Sequence, residues 1–278
     1  LCSYTPYPSF VSFSVTGSKC ELMCKHCQGR YLEHMIPAES PEKLLDLTSK
    51  WAKRGAKGVL ISGGYSREGK VPLRRFIKAL REIKRLGLVV AVHTGLVSKE
   101  DAENLRAAEV DAALIDIVGD DDTVREMLGL NAKASDFFRS VVALKEAQLF
   151  VAPHIVIGLN HGSLKGELDA LKKLSEIGIE ALSFLVYSPT PGTPSAFDLP
   201  PKLEDIAMVI TTARKTFFNV YLTLGCMKPR GEYRSLVDQV AVLCGVNGIV
   251  NPSLAALKLA ERLGLNVKKI GGCCVFRS

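Results

Sequence analysis

Cys20, Cys24 and Cys27 form a C-x-x-x-C-x-x-C run just beyond an apolar stretch. Thiolates this close in sequence can bind one metal centre. A closed iron–sulfur cubane is normally held by four cysteines, so three leave one iron open to an outside ligand. An open coordination position separates a reactive metal site from a purely structural one. The competing reading is a zinc knuckle with His26 or a distant cysteine as fourth ligand. Zinc sites usually pair two C-x-x-C halves, or one half with a downstream His pair. No such second half follows Cys27.

Other residues could join the chemistry. Cys2, Cys226, Cys273 and Cys274 are spare thiols, enough to close a second four-iron cluster. Cys273 and Cys274 are adjacent and follow Gly271-Gly272. The plainer reading is that these cysteines are unrelated. Cys244, at an apolar helix end, reads as a small core residue. Gly63-Gly64 follow an apolar run and let the backbone approach a ligand closely, although a tight turn has the same signature. Asp116 interrupts the apolar run from Ala113 to Val118. A buried carboxylate is costly without a partner; ligand hydroxyls or a core Lys or Arg would satisfy it.

These residues need a scaffold. Strand-like apolar runs cover Phe10 to Thr16, Gly58 to Ser62, Leu88 to His93, Ala112 to Val118, Ala152 to Gly158, Ala181 to Tyr187, Val220 to Leu224 and Gly248 to Val250. Their near-continuous apolar character suits strands buried on both faces of a parallel sheet. Helical patterns separate them. Ser40 before Pro41, and Ser98 with Asp101 three residues on, are start signals. Pro200-Pro201 precedes a helix to about Phe217, and Gly55, Gly87, Gly178 and Gly264 punctuate helix ends. Eight βα alternations over about 250 residues argue for an α/β (β/α)8 TIM-type barrel, closed in preference to an open sheet. With no linker in sight, residues 1–278 read as one domain with a core of about 9–265. The ends, 1–8 and 266–278, lie outside the repeat and are expected to cover one barrel mouth. Active sites of such barrels sit in the loops after the strands, which is where the cysteine run falls.

Composition narrows the class. Hydrophobic residues make up 47% of the 278-residue chain, ample for a large core. No apolar run approaches the roughly 20 residues of a membrane span, and no secretory leader pattern opens the sequence. Leu1 in place of Met is compatible with a preceding piece. The expected setting is cytoplasmic, where eight cysteines point to metal or redox chemistry more than to disulfides. A net charge of +7 favours acidic partners. No aromatic-interleaved basic stretch suggests a nucleic-acid platform.

The cysteine spacing matches the signature of the radical S-adenosylmethionine (SAM) superfamily, and the likeness runs along nearly the whole chain. Ile61-Ser62-Gly63-Gly64-Tyr65 resembles that family's G-G-E segment with Tyr65 replacing the Glu. Ser188-Pro189-Thr190-Pro191-Gly192-Thr193-Pro194 is similar to the P-x-P-G-T-P turn of biotin synthases. Cys244-Gly245-Val246-Asn247-Gly248-Ile249-Val250 resembles their A-G-A-N-x-I step. The resemblance implies a 4Fe-4S cluster on Cys20, Cys24 and Cys27, with SAM chelating the open iron. It further implies His26 near the adenine, Gly63 and Gly64 at the SAM amino group, Asp116 at its ribose, Arg139 at its carboxylate, and Ile157 as an apolar surface for adenine.

Departures from the group refine the expected activity. Biotin synthases hold a sacrificial two-iron cluster on further cysteines at strand ends; here those ends offer Ser62, His93 or its neighbours, and His154. Spare cysteines near both termini resemble the layout of lipoyl synthase, although that enzyme's N-terminal cysteine run and its R-S-S-Y ending are absent. Leu22-Met23-Cys24 and the stretch from Leu224 to Arg230 look like archaeal biotin-synthase homologues, some of which form half of a two-protein lipoyl synthase. The implied reaction is sulfur insertion into an octanoyl chain on a carrier protein or lipoyl domain. A ferredoxin-type electron donor and a second radical SAM subunit are the implied partners. Arg230, Tyr65 and His154 are candidate cavity residues. Two alternatives stay open: a radical SAM enzyme without sulfur transfer, such as a mutase or a metal-cofactor maturase, and a non-catalytic iron–sulfur electron carrier.

Overall fold

Each apolar run expected as a strand is one in the computed structural model, which describes residues 1–277. The chain begins with β1 (Cys2–Tyr4), β2 (Phe10–Ser14), β3 (Ile36–Pro37), α1 (Pro41–Lys53) and β4 (Gly58–Ser62). It continues through α2 (Ile77–Arg85), β5 (Val89–His93), α3 (Lys99–Ala107), β6 (Ala112–Ile117), the single turn α4 (Asp121–Thr123), α5 (Ala134–Glu146) and β7 (Val151–Ile157). The last part comprises α6 (Glu167–Ile177), β8 (Ala181–Val186), α7 (Leu203–Thr216), β9 (Tyr221–Leu224), α8 (Gly231–Leu243), β10 (Gly248–Val250), α9 (Leu254–Arg262) and β11 (Lys268–Ile270).

The helix signals act as their chemistry predicts. Ser40 Oγ accepts the Lys43 N–H ahead of Pro41, and Ser98 with Asp101 forms a reciprocal capping box. Leu44, Leu80, Ile83 and Leu144 are fully buried between helices and sheet. Each such side chain contributes about 1.5–3 kcal/mol by leaving water.

All strand pairs are parallel, in the order β11-β1-β10-β9-β8-β7-β6-β5-β4-β2-β3. Eight of these strands alternate with helices in the TIM-type manner. The expected closure is modified: β1 occupies the free edge of β10 and β3 the free edge of β2. Those are the two edges a closed barrel would join, so the sheet curls but stays open along one seam. The terminal segments therefore extend the sheet and do not lie outside it.

Side chains alternate between the helix-facing side and the interior. One register line crosses six strands: Asp116 opposite His154, His154 opposite Ser183, Ser183 opposite Thr223, Thr223 opposite Gly248, and Gly248 opposite Cys2. A polar belt thus runs across the interior. Below it, the C-terminal tail enters the curl. Cys274 and Val275 pack with Tyr4, Phe10, Ala112, Ala152 and Ala181. The Phe276 ring meets Phe10 and Phe150, and Arg277 donates to the carbonyls of Glu180 and Asn219. Most of these residues stand at or just before the first residues of their strands, so the tail plugs the end opposite the cysteine loop.

Candidate functional site

The loop after β2 is wound tightly by its own backbone. Cys24 O accepts the N–H groups of Cys27 (3.2 Å) and Gln28 (3.0 Å), and Met23 and Gln28 take positive φ values of 46° and 49°. Left-handed backbone outside glycine costs energy and persists only when its surroundings hold it. Here the surroundings are the ends of two other segments. Tyr65 O accepts the N–H groups of Glu21 (2.9 Å) and Leu22 (3.2 Å), and Met127 O accepts that of Lys25 (2.9 Å). Gly64 donates to Thr16 Oγ1 at 2.7 Å. A Cβ on Gly64 would lie 2.5 Å from Cys20 Cα and would overlap the Lys19 carbonyl. Glycine is thus required so that the loop can seat against the end of β4.

This winding brings the three thiols together. Cys24 is buried, while Cys20 and Cys27 are half-buried. A hydrogen bond from Cys24 and a second from His26 pull the Cys27 thiol down to about 4, against the opposing effect of burial. Cys24 is pushed up by that same bond and by burial. Cys24 and Cys27 thus lie close enough for the proton on one to depend on the other. His26 Nδ1 is buried with no hydrogen-bond partner among the described residues. A soft donor set on one tight loop, an unpartnered imidazole nitrogen and a glycine cradle fit an iron–sulfur cluster with an open position.

A second constellation, read from the sequence only as separate residues, lies beside the loop. Tyr65 Oη donates to Asp116 Oδ2 at 3.3 Å and sits 3.2 Å from His93 Nδ1. His93 Nε2 faces Asp116 Oδ1 at 3.4 Å, and the rings of His93 and His154 lie 5.8 Å apart, edge to face. Burial raises the Asp116 carboxyl, but His93 outweighs it and holds the group at about 2. Burial, then His93, brings His154 down to about 4 and keeps it neutral. Interior alternation was the signal available in sequence: Asp116, His154 and His93 all fall on inward positions of β6, β7 and β5.

The other expected contacts fare differently. Ile157, expected as an adenine surface, is fully buried in the helix-side core, because it shares a strand face with Ile155 rather than with His154. Arg139, on α5, is exposed and pairs with Asp136 and Ser135 of its own helix. Arg230 is exposed at the start of α8. The turn after β8 does reach the cysteine loop: Tyr31 Oη and Thr190 Oγ1 lie 3.3 Å apart, and Arg30 reaches Gly192 O at 3.5 Å. Sequence reasoning missed His161, which takes φ 51° and joins Asp198 (2.8 Å) and Glu126 (3.3 Å).

The spare cysteines gather around the polar belt. Cys273 and Cys274 are hydrogen-bonded to one another. That bond, with help from Thr223 and Ser183, brings Cys274 down to about 7. Cys226, solvent-accessible at the end of β9 yet crowded by protein, is pushed up by burial and by Cys274. Cys2 hydrogen-bonds Tyr221, whose hydroxyl is 2.7 Å from that of Tyr4 and also senses Cys274. Cys244 is the core residue expected, its thiol against Ala207 O at 3.7 Å.

The chain is similar to known proteins at two levels. Biotin synthase from Neorickettsia sennetsu (strain ATCC VR-367 / Miyayama) is 24% identical over 244 residues, spanning 84% of this chain and 72% of that protein. Methylornithine synthase has the same fold, with a TM-score of 0.65, 14% identity and coverage of 96% of this chain and 83% of that one. The FeFe-hydrogenase maturase of Carboxydothermus hydrogenoformans superposes with a TM-score of 0.62 at 17% identity, over 90% of this chain and 58% of the maturase. Among the described residues no helix is long and apolar enough to cross a membrane. Residues 14–162, more than half the chain and the stretch that carries both constellations, match the profile of one family, and the chain belongs to it: the radical SAM superfamily.

Proposed function

We propose that this radical SAM enzyme inserts sulfur at unactivated carbon of a protein-bound octanoyl chain, as one component of a lipoyl synthase. The observation that carries the proposal is the gathering of Cys226, Cys273, Cys274 and Cys2 around the polar belt. Cys20, Cys24 and Cys27 would hold the SAM-binding cluster and the spare cysteines a second one. When bound, the first cluster and SAM supply a 5′-deoxyadenosyl radical that removes hydrogen from carbon, and the second supplies sulfide.

The chain's own residues contribute position and exclusion. Gly64 seats the loop against the strand end, and Tyr65 O fixes the loop's first turn. His26 lowers the Cys27 thiol toward the ligating thiolate form. The tail closes the lower end with Phe276 and Val275, limiting water and radical quenching from that side. The +7 net charge suits an acidic lipoyl domain or carrier protein, a ferredoxin-type electron donor, and an acidic second subunit.

Anaerobic protein reconstituted with iron and sulfide is expected to hold about eight irons, falling to about four in a Cys273→Ala/Cys274→Ala variant. With dithionite, SAM and an octanoyl-lysyl peptide, alone or with its partner subunit, mass spectrometry is expected to find added sulfur. Deoxyadenosine without peptide thiolation under both conditions, with four irons, would instead support a radical enzyme that transfers no sulfur.

A further inference from the structure

His93, Asp116 and His154 form a donor set without a cysteine, and their arrangement has its own chemical demand. His154 Nδ1 lies 3.0 Å from the Ala152 carbonyl oxygen, which only accepts, so that nitrogen carries the proton. Nε2 of the neutral ring is left with a lone pair. Tyr65 spends its hydroxyl proton on Asp116 Oδ2, and its oxygen accepts from His93 Nδ1. With His93 neutral, its Nε2 lone pair faces Asp116 Oδ1 at 3.4 Å, and with His93 protonated, the form Asp116 favours against burial, Nε2–H points there; no hydrogen bond of normal length reaches this buried carboxylate oxygen.

Lone pairs that converge in a partly buried site repel, and a positive charge between them relieves the repulsion. A proton on His93 satisfies one pair and leaves His154 unanswered. One ligand atom from each of the three residues lies within 4.8 Å of the others. Two imidazoles and one carboxylate, held by separate strands, form the donor set that first-row divalent metals take. The outer contacts agree. Metal-bound histidines give their second N–H to a carbonyl or another oxygen, as His154 does to Ala152 and His93 to Tyr65.

We propose that His93, Asp116 and His154 bind one divalent first-row transition-metal ion, distinct from any iron–sulfur cluster, in the interior of the sheet. The site takes Asp116 away from the nucleoside contact that the family resemblance implies. Three protein ligands leave a coordination position toward the cavity, suited to an oxygen donor such as a substrate carbonyl. Tyr65 is a positioning residue, since it touches two of the ligands and offers the metal none. The proposal stands whether or not the enzyme transfers sulfur.

Zinc tests it, because iron–sulfur clusters contain none and absorption at the zinc edge ignores them. Full-length holoprotein with its clusters intact is loaded with Zn(II), desalted anaerobically and measured. The expected result is about one zinc per chain in a shell of nitrogen and oxygen at about 2.0–2.1 Å, with imidazole scattering beyond it. His93→Gln and His154→Gln variants should keep the cluster absorbance of the parent while zinc affinity falls at least about 100-fold. No retained zinc, a sulfur shell at about 2.3 Å, or undiminished binding in both variants overturns the proposal. Should a variant not fold, the parent's shell composition still decides.

Discussion

At Gly64 an added Cβ meets the Lys19 carbonyl and Cys20 Cα, backbone atoms that cannot rotate aside. Gly64→Ala is therefore expected to push the cysteine loop off the end of β4 and to lose most cluster absorbance and iron. Gly87 is the control. It has φ 78° and nothing within 4 Å of an added Cβ, so Gly87→Ala should cost only about 1–2 kcal/mol and leave iron content unchanged. At this scale much was legible in the sequence, because the cysteine spacing and double glycine are local signals. Ile157 was not, since its face depends on the register of β7 against β6 and β8. Nor was the joint arrangement of His93, Asp116 and His154, which two crossovers assemble from residues far apart in the chain.

Among the elements, α6 is tied to the end of β7 by a buried acid. Glu167 Oε1 accepts the Gly158 N–H at 2.8 Å and Oε2 the Lys165 N–H at 2.6 Å. Burial still raises its pKa above the ordinary value. The folded state then binds this proton more readily than the unfolded chain does. Its contribution is full below the ordinary carboxylate range and is lost as pH rises through the raised folded value. Urea unfolding at pH 4.5 and 7.5 is expected to show Glu167→Gln with a smaller decline over that interval than the parent. The larger elements were legible because long apolar runs and capping residues carry their own signals. The strands β1, β3 and β11 were not. Two or three residues leave no periodicity, and Lys268-Lys269 gives β11 an edge-strand composition.

For the molecule as a whole, the open seam and the tail belong together. A sheet that does not close by strand pairing needs another filling for its interior, and Cys274 to Phe276 provide it. Phe276→Ala is expected to lower the unfolding free energy by about 2–3 kcal/mol, a partly buried counterpart of a core Phe truncation. In the metal-free protein it should also speed the reaction of Cys274 with an alkylating reagent, read by mass spectrometry of the C-terminal peptide. Unchanged alkylation would separate the aromatic contacts from the shielding of that thiol. The α/β alternation announced the scaffold, but a closed ring was inferred because strand count alone cannot reveal which edges short terminal segments will occupy.

Residues 273–277 leave the ribosome after every strand they touch. Until then the nascent sheet has an unfilled floor, and its inward faces of Phe10, Ala112, Ala152 and Ala181 remain wet. Final packing therefore waits until these residues have emerged, so iron and sulfide delivered to a shorter nascent chain would meet an interior still open from below.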